Sequence, residues 1–320
     1  MSDRRRITGP VNTSTPNIPA ALNLPSSTTS NNNTSGTSST SSTSGATTSS
    51  NQVPPFFLKH GLITNSNGSA YLEIDNTTII QVSVFGPRPI RGSFIDKASV
   101  SVETKFLSHV SQPQSDIFNN NSSNSSSNNN RDTPQASSGY RTGMTPIEHR
   151  LSSYLESCIL PSIILSKYPK STIDLQVSVI STDPKCQGVS GMLWLMQWIV
   201  VASSLAIIDA GIEIRDVVSS GVVKLMANGD VRIGQDLDRH QQEEKLHDTD
   251  AGEDGVYALV SFMNLKNDEI VGCWFERDGN GDDEKLQLSE IEMEKLIDEC
   301  SKMSKLIRAN LNSYLLKSFN

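Results

Sequence analysis

The sequence contains few of the residues that commonly build catalytic and metal sites. Its 320 residues include four cysteines and five histidines. It has no Cys-x-x-Cys pair and no His-Glu-x-x-His motif, so neither a redox pair nor a zinc hydrolase is indicated. A Gly-x-Ser-x-Gly nucleophile elbow and a Gly-x-x-x-x-Gly-Lys phosphate loop are also missing. We therefore expect no bound metal and no cofactor.

Long hydrophobic runs are scarce as well. The longest, Met192 to Ile208, contains Gln197, Ser203 and Ser204. It is short for a membrane span and favours a buried core helix. No apolar signal sequence follows the first residue and the cysteines are widely scattered. We therefore expect a reducing nuclear or cytoplasmic setting and no membrane association.

Charge is spread unevenly along the chain. The net charge is -8, yet residues 1–52 carry three arginines against one aspartate, and residues 53–232 carry 14 basic against 14 acidic residues. Residues 233–320 carry 10 basic against 20 acidic residues. The acidic C-terminal third disfavours tight autonomous binding of nucleic acid, whereas the neutral main body permits RNA contact through a small basic loop.

Two low-complexity tracts interrupt the chain. Ser26 to Gln52 include 23 Ser, Thr or Asn among 27 residues, and Asn119 to Asn130 consist only of Asn and Ser. Neither tract can bury a core. We predict a disordered tail over 1–52 with an arginine-rich start, and one folded domain over 53–320. Within that domain we predict a low-complexity insertion at about 108–142 and an acidic surface excursion at about 234–255.

Hydrophobic patterning predicts an α+β fold. Thr145, Pro146 and Glu148 form a helix start with a capping box, and Ser289 with Glu292 marks the start of a long amphipathic helix. The predicted order is ββββ-α-β-α-ββ-ββ-α, which indicates a mixed sheet or two small sheets packed on helices. The predicted strands are 57–63, 69–75, 78–85, 98–106, 173–180, 217–225, 230–233, 256–264 and 269–275, and the central buried helix is 192–209.

The segment Gly86 to Phe94 is the best candidate for a binding element. Its two prolines stiffen the chain, and the guanidinium groups of Arg88 and Arg91 are suited to phosphate oxygens. Two arginines on a loop also fit a solvated or salt-bridged surface. The run Arg4, Arg5 and Arg6 is open to the same two interpretations, a phosphate contact or a solubilising end.

Four short motifs, in this order along the chain, resemble the RNase PH family. Together with the last hairpin and helix they cover nearly all of the foldable residues. The motifs are Asn-Gly-Ser-Ala at 67–70, Val-Phe-Gly-Pro-Arg at 84–88, Tyr-Pro-Lys-Ser-x-Ile-Asp at 168–174 and Leu-Ala-Ile-Ile-Asp-Ala-Gly-Ile at 205–212.

The resemblance implies a single domain of the ribosomal-protein-S5-domain-2 type that pairs with related subunits in a six-membered ring around an RNA channel. Within the family, the arginine-rich start and the Gly86 to Phe94 segment are most similar to a ring subunit of the eukaryotic RNA exosome. This similarity implies a hetero-oligomer with other RNase PH-like ring subunits and cap subunits. It also implies RNA in the channel, roles in rRNA processing and mRNA turnover, and a location in the nucleus, including the nucleolus, and the cytoplasm.

The resemblance also bears on catalysis. Active members bind phosphate through a Gly-Thr/Ser-Arg element, whereas residues 183–188 here read Asp-Pro-Lys-Cys-Gln-Gly. The acidic catalytic segment corresponds to the disrupted stretch 234–255, in which Asp236 and Asp238 do not align. We therefore expect no catalytic residues and a noncatalytic subunit. The implied RNA contacts are Arg88, Arg91 and Lys170, together with Arg4, Arg5 and Arg6.

Two other functions remain open at the level of sequence. One is an active phosphate-dependent 3′–5′ exoribonuclease, which would release nucleoside diphosphates from RNA only when phosphate is supplied. The other is a free-standing adaptor that recruits partners through its Asn/Ser tracts and never enters a ring.

Overall fold

Strands and helices follow the predicted order in the computed structural model. It describes residues 53–92, 94–113, 143–183, 188–226, 231–233, 255–263, 267–278 and 288–318. The strands are β1 Phe56–His60, β2 Gly68–Ile74, β3 Thr78–Pro89, β4 Ser99–Phe106, β5 Ser171–Ser181, β6 Ser219–Met226, β7 Val231–Ile233, β8 Gly255–Met263 and β9 Glu269–Asp278. The α-helices are α1 Pro146–Ile159, α2 Gly188–Asp209 and α3 Glu290–Ser318.

The strands form two sheets, so the predicted α+β class with a mixed sheet is confirmed. The first sheet has the order β1-β2-β3-β5-β4 and is antiparallel except for the parallel pair β4 and β5. The second sheet has the order β7-β6-β8-β9 and is antiparallel throughout. The predicted domain limits, tail and insertion stay predictions, because their low-complexity parts lie outside the described residues.

Helix α2 lies between the two sheets and forms the centre of the core. It contacts β2 and β3 on one side and β6 and β8 on the other. It is long and apolar enough to cross a membrane, but 94% of its apolar window is buried inside the protein. Burial on all sides explains why the helix is hydrophobic around its whole circumference.

Helix α1 covers the free edge of β4. Its start has the predicted capping box, in which the Glu148 carboxylate accepts a hydrogen bond from the Thr145 backbone N–H. The second carboxylate oxygen of Glu148 accepts from the Phe106 N–H at 3.0 Å, and Ser152 Oγ accepts from the Thr104 N–H at 2.8 Å. The helix ends at Ile159, just before Pro161, as the predicted break requires.

Helix α3 packs on the opposite face of the second sheet from α2. A Cβ added at Gly221 of β6 would lie 2.2 Å from the Cys300 carbonyl oxygen, so the backbones approach closely there. Arg308 of α3 is buried and donates from Nη1 to the Val217 carbonyl at 2.9 Å. Its Nη2 also pairs with the Asp216 carboxylate. These contacts fix the helix to the chain that enters β6.

Candidate functional site

The predicted binding segment begins as part of a strand. β3 continues to Pro89, and its residues Arg88 and Pro89 are paired with β5, so the expectation of a loop from Gly86 onward is wrong for Gly86 to Pro89. The register shifts between Phe85 and Arg88, which makes a bulge. The strand continues through this bulge because residue 86 is a glycine. Gly86 adopts φ +119°, and a Cβ added there would lie 2.5 Å from the carbonyl oxygen of Thr172. The Gly86-Pro87 peptide bond is cis.

The backbone of Lys170 holds the rest of the segment against the start of β5. The Ile90 N–H donates to the Lys170 carbonyl at 3.0 Å, and the Lys170 N–H donates to the Ile95 carbonyl at 2.8 Å. Lys170 itself has φ +54°, an uncommon conformation for a residue other than glycine. These bonds bring Lys170 to the same end of the first sheet as Arg88 and Arg91, although it is far from them in sequence.

We call this region the basic surface and define it by Arg88, Arg91, Lys97 and Lys170, all of which are exposed. Within the part of the chain that the structure describes, the side chains of Arg91, Lys97 and Lys170 have no hydrogen-bond or ion-pair partner. The segments 86–98 and 167–174 together contain five cations and two carboxylates. Lys167, the fifth cation, pairs with Glu213. The surface is therefore locally positive on a protein whose net charge is -8.

Arg88 differs from the other cations because it has a partner within the protein. Its Nη2 pairs with Oδ2 of Asp174 on the neighbouring strand β5. The Arg88 side chain remains 59% exposed, whereas that of Asp174 is 26% exposed. The other Asp174 oxygen accepts a hydrogen bond from Thr172 Oγ1 at 3.1 Å. The sequence left two interpretations open for this segment, a salt-bridged surface and a phosphate contact. At Arg88 the structure shows a salt bridge on an exposed side chain.

The role of Asp174, and the membership of Lys97 in this surface, were not predicted from the sequence. Strand alternation alone places Thr172 and Asp174 on one face of β5. Only the register of β3 against β5, shifted by the bulge, places Arg88 beside them. A bulge of this kind has no signal in the sequence beyond a glycine followed by proline.

Several predicted positions lie outside the described residues. They are Arg4, Arg5 and Arg6, the core of the phosphate-binding counterpart at 184–187, and the acidic stretch 234–254 with Asp236 and Asp238. Asp183, at the border of the phosphate-binding counterpart, donates its backbone N–H to Thr78 Oγ1 at 3.2 Å. The expectations about RNA contact at the arginine run and about the lost catalytic elements remain predictions.

Two of the three described cysteines, Cys158 and Cys300, are not placed for nucleophilic chemistry. Cys158 and Cys300 are buried, and desolvation by burial raises the pKa of both thiols. Tyr154 lies against Cys158, and burial also raises its pKa well above the usual value. A raised pKa keeps each group protonated at neutral pH, so neither thiol supplies a thiolate. Cys273 is exposed on β9. Among the described residues, no three His, Cys, Asp or Glu side chains group together as metal ligands would.

A comparison of the sequence with models of known protein families identifies one family. Residues 52–213 match the RNase PH family, described as the 3′ exoribonuclease family, domain 1. This match spans half of the chain and includes all four motifs and the whole of the first sheet. The chain therefore belongs to the RNase PH family.

Curated relatives are named as exosome components. The chain is 25% identical to exosome complex component MTR3 of Chaetomium thermophilum, over 87% of both chains. It is 27% identical to exosome complex component Rrp41 of Pyrococcus horikoshii, over 68% of this chain and 70% of that protein. It is 29% identical to exosome complex component mtr3 of Schizosaccharomyces pombe, over 54% of this chain and 55% of that protein.

Solved structures share the fold. A crystal structure of rice (Oryza sativa) Rrp46 superposes with a TM-score of 0.55 at 18% identity, over 83% of this chain and 97% of that chain. A chain of the Archaeoglobus fulgidus exosome, a structure with RNA bound to the active site, superposes with a TM-score of 0.51 at 14% identity, over 82% and 89%. These similarities support the two-sheet fold described above.

Proposed function

We propose that this chain is a noncatalytic structural and RNA-channel subunit of the core ring of an RNA exosome. The observation that carries the proposal is the similarity to MTR3, because it extends over 87% of both chains. In this role the chain would contact other RNase PH-like ring subunits and cap subunits. It would support 3′–5′ processing and degradation of RNA, including rRNA processing and mRNA turnover, in the nucleus, the nucleolus and the cytoplasm.

The basic surface is the proposed place of RNA contact. Arg91, Lys97 and Lys170 are exposed cations without protein partners among the described residues. The remaining donors of the Arg88 guanidinium are also accessible, since its side chain is 59% exposed. Such groups bind phosphate oxygens without reading base sequence. Arg4, Arg5 and Arg6 are proposed to add phosphate contacts.

The proposal of an inactive subunit rests on the phosphate-binding counterpart. Phosphorolysis requires inorganic phosphate held in line with the bond that breaks. Active members of the family use a Gly-Thr/Ser-Arg element for this purpose, and the stretch 183–188 contains no arginine and no Ser or Thr. Without an equivalent cradle, the chain would lose most of the rate even when RNA binds.

The ring assignment is tested by native purification of the full-length chain and mass measurement of the intact complex. We expect a stoichiometric complex that contains several related subunits. A free-standing adaptor would instead be recovered without any RNase PH-like partner, which would contradict the ring role. The same preparation supplies the material for the activity and RNA-binding tests.

The catalytic assignment is tested by incubating the chain, and its complex with a ring neighbour, with single-stranded RNA and inorganic phosphate. We expect no phosphate-dependent release of nucleoside diphosphates that can be attributed to this chain. Release that persists when the neighbour carries an inactivating change would show an active exoribonuclease and would refute the noncatalytic assignment.

The RNA-binding assignment is tested with the double variant Arg88→Ala/Arg91→Ala in the assembled ring. We expect weaker crosslinking to RNA and a salt dependence of binding that is shallower by up to about 1.4 in log–log slope, since each single-strand phosphate contact contributes roughly 0.7. Lys302→Ala/Lys317→Ala on α3 removes the same charge from another surface and serves as the control. Equal behaviour of the two double variants would refute the assignment.

A further inference from the structure

The ion pair between Arg88 and Asp174 sets Arg88 apart from its neighbours on the basic surface. Its carboxylate partner occupies part of the hydrogen-bonding capacity that a phosphate would use. Arg91 and Lys170, which lie beside it, have no such partner among the described residues. Of these three cations at one end of the sheet, Arg91 and Lys170 are therefore more available to an anionic ligand than Arg88.

The Asp174 carboxylate is held in place from both sides. One oxygen binds Arg88, and the other accepts the Thr172 hydroxyl at 3.1 Å. Both Thr172 and Asp174 belong to β5, which is paired with β3 and β4 along its length. The carboxylate therefore cannot move away from Arg88 without losing the Thr172 contact or changing its rotamer. Its negative charge stays close to any phosphate that approaches Arg88.

We propose that Asp174 is a competing anion that limits the affinity of the basic surface for the phosphate backbone of single-stranded RNA. This inference rests on the proposed RNA contact of Arg88. Arg91 and Lys170 engage phosphates directly, whereas Arg88 engages fully only when a phosphate replaces the Asp174 carboxylate. Asp174 thereby keeps the contact weak enough for RNA to move past this surface.

Two physical effects act in the same direction. The carboxylate cancels much of the Arg88 charge in the unbound protein, so fewer counterions are released when RNA binds. It also repels the incoming phosphate, because the two anions share one guanidinium. Removing the carboxylate charge while keeping a side chain of the same size should therefore strengthen binding.

The test is Asp174→Asn in the assembled ring, with binding of a single-stranded RNA oligonucleotide measured by fluorescence anisotropy over a range of salt concentrations. The asparagine oxygen still accepts the Thr172 hydroxyl, so the fold of β5 is kept. We expect binding tighter by about two- to five-fold, the range of an exposed ion pair. We also expect a log–log salt slope steeper by up to about 0.7.

Glu103→Gln is the matched control. Glu103 is on β4 of the same sheet and pairs with Lys105 at 2.8 Å, with side-chain exposures of 33% and 54%. These exposures are close to those of Asp174 and Arg88, 26% and 59%. The control removes the same charge from a similar pair that does not involve Arg88. We expect its RNA affinity and salt slope to equal those of the unchanged ring.

A second comparison tests whether the effect of Asp174 on RNA binding depends on Arg88. In the Arg88→Ala background, Asp174→Asn should give a clearly smaller gain, because only the repulsion of phosphates bound at Arg91 and Lys170 is then removed. Weaker or unchanged binding of the single variant Asp174→Asn would overturn the inference, the weaker result meaning that Asp174 orients Arg88 for RNA. An equal gain in the Arg88→Ala background, or in Glu103→Gln, would also overturn it. Failure of the RNA-contact proposal itself is recognised separately, since Arg88→Ala/Arg91→Ala would then leave binding unchanged.

Discussion

Two glycines of the binding segment have similar backbone angles but different surroundings. Gly86 and Gly92 have φ of +119° and +129°. A Cβ at Gly86 would lie 2.5 Å from the Thr172 carbonyl oxygen, whereas a Cβ at Gly92 would meet nothing within 4 Å. The backbone angle disfavours any L side chain at either site, but only Gly86 adds a collision with the paired strand.

We expect Gly86→Ala to lower the free energy of unfolding by about 3 kcal/mol and Gly92→Ala by about 1 kcal/mol. Urea denaturation followed by tryptophan fluorescence measures both. The Gly92 variant is the control for backbone strain alone. Equal losses would mean that the close approach between β3 and β5 at the bulge does not hold in solution.

Some residue-scale features could be read from the sequence and others could not. The capping box at Thr145 and Glu148 was predicted because all its parts lie within four residues. The additional bond from the Phe106 N–H to Glu148 joins residues 42 positions apart and has no local signal. The same limit applies to the pairing of Arg88 with Asp174, which depends on strand register.

Two cationic side chains, one buried and one exposed, attach the long helix α3 to the rest of the protein. Arg308 is buried and bonds the Val217 carbonyl and the Asp216 carboxylate. Lys305, on the same helix, pairs with Asp268 at 2.7 Å with both side chains exposed. Loss of a buried donor leaves its partners without their hydrogen bonds, whereas an exposed ion pair contributes little.

We expect Arg308→Ala to lower the free energy of unfolding by about 2 kcal/mol, because Asp216 is partly solvated and limits the loss. Lys305→Ala should change it by about 0.5 kcal/mol or less. Chemical denaturation of the two variants under identical conditions measures the difference. A larger loss in the Lys305 variant would show that α3 is fixed to the sheet by its exposed face.

At the scale of elements, the strand and helix order was predicted in full, because alternating and helical patterns are local. The length of β3 was underestimated by four residues, since glycine and two prolines normally indicate a loop. The parallel pairing of β4 with β5 was not predicted either. It joins strands separated by a long insertion and a helix, and no short-range pattern encodes such a contact.

On the scale of the whole molecule, the net negative charge contrasts with the basic surface that is proposed to contact RNA. The chain carries a net charge of -8, to which residues 234–254 contribute eight acidic against two basic residues, a net of -6. The basic surface supplies four cations, one of them paired. Such a surface attracts a phosphate backbone locally while the rest of the molecule repels it.

We expect the isolated chain to bind single-stranded RNA only weakly, with a Kd of roughly 10 µM or more at physiological salt. The four cations of the basic surface alone should account for a fall in affinity of no more than roughly fifty-fold between 50 and 200 mM salt, and Arg4, Arg5 and Arg6 would add to this fall. Fluorescence anisotropy measures both quantities. A fall of more than a thousand-fold would show that many more cations take part, and the arginine run at 4–6 would then be the first group to replace by alanine.

The way in which α1 meets β4 also matters before any assembly takes place. In the proposed ring, a newly made subunit would wait for its partners, and during that time an open strand edge would favour pairing with other chains. Along β4, side chains from α1 already take the N–H groups of Thr104 and Phe106. At these two positions the edge strand of the first sheet has no N–H group left to pair with a strand of another chain. The unassembled protein is thereby protected there against aggregation.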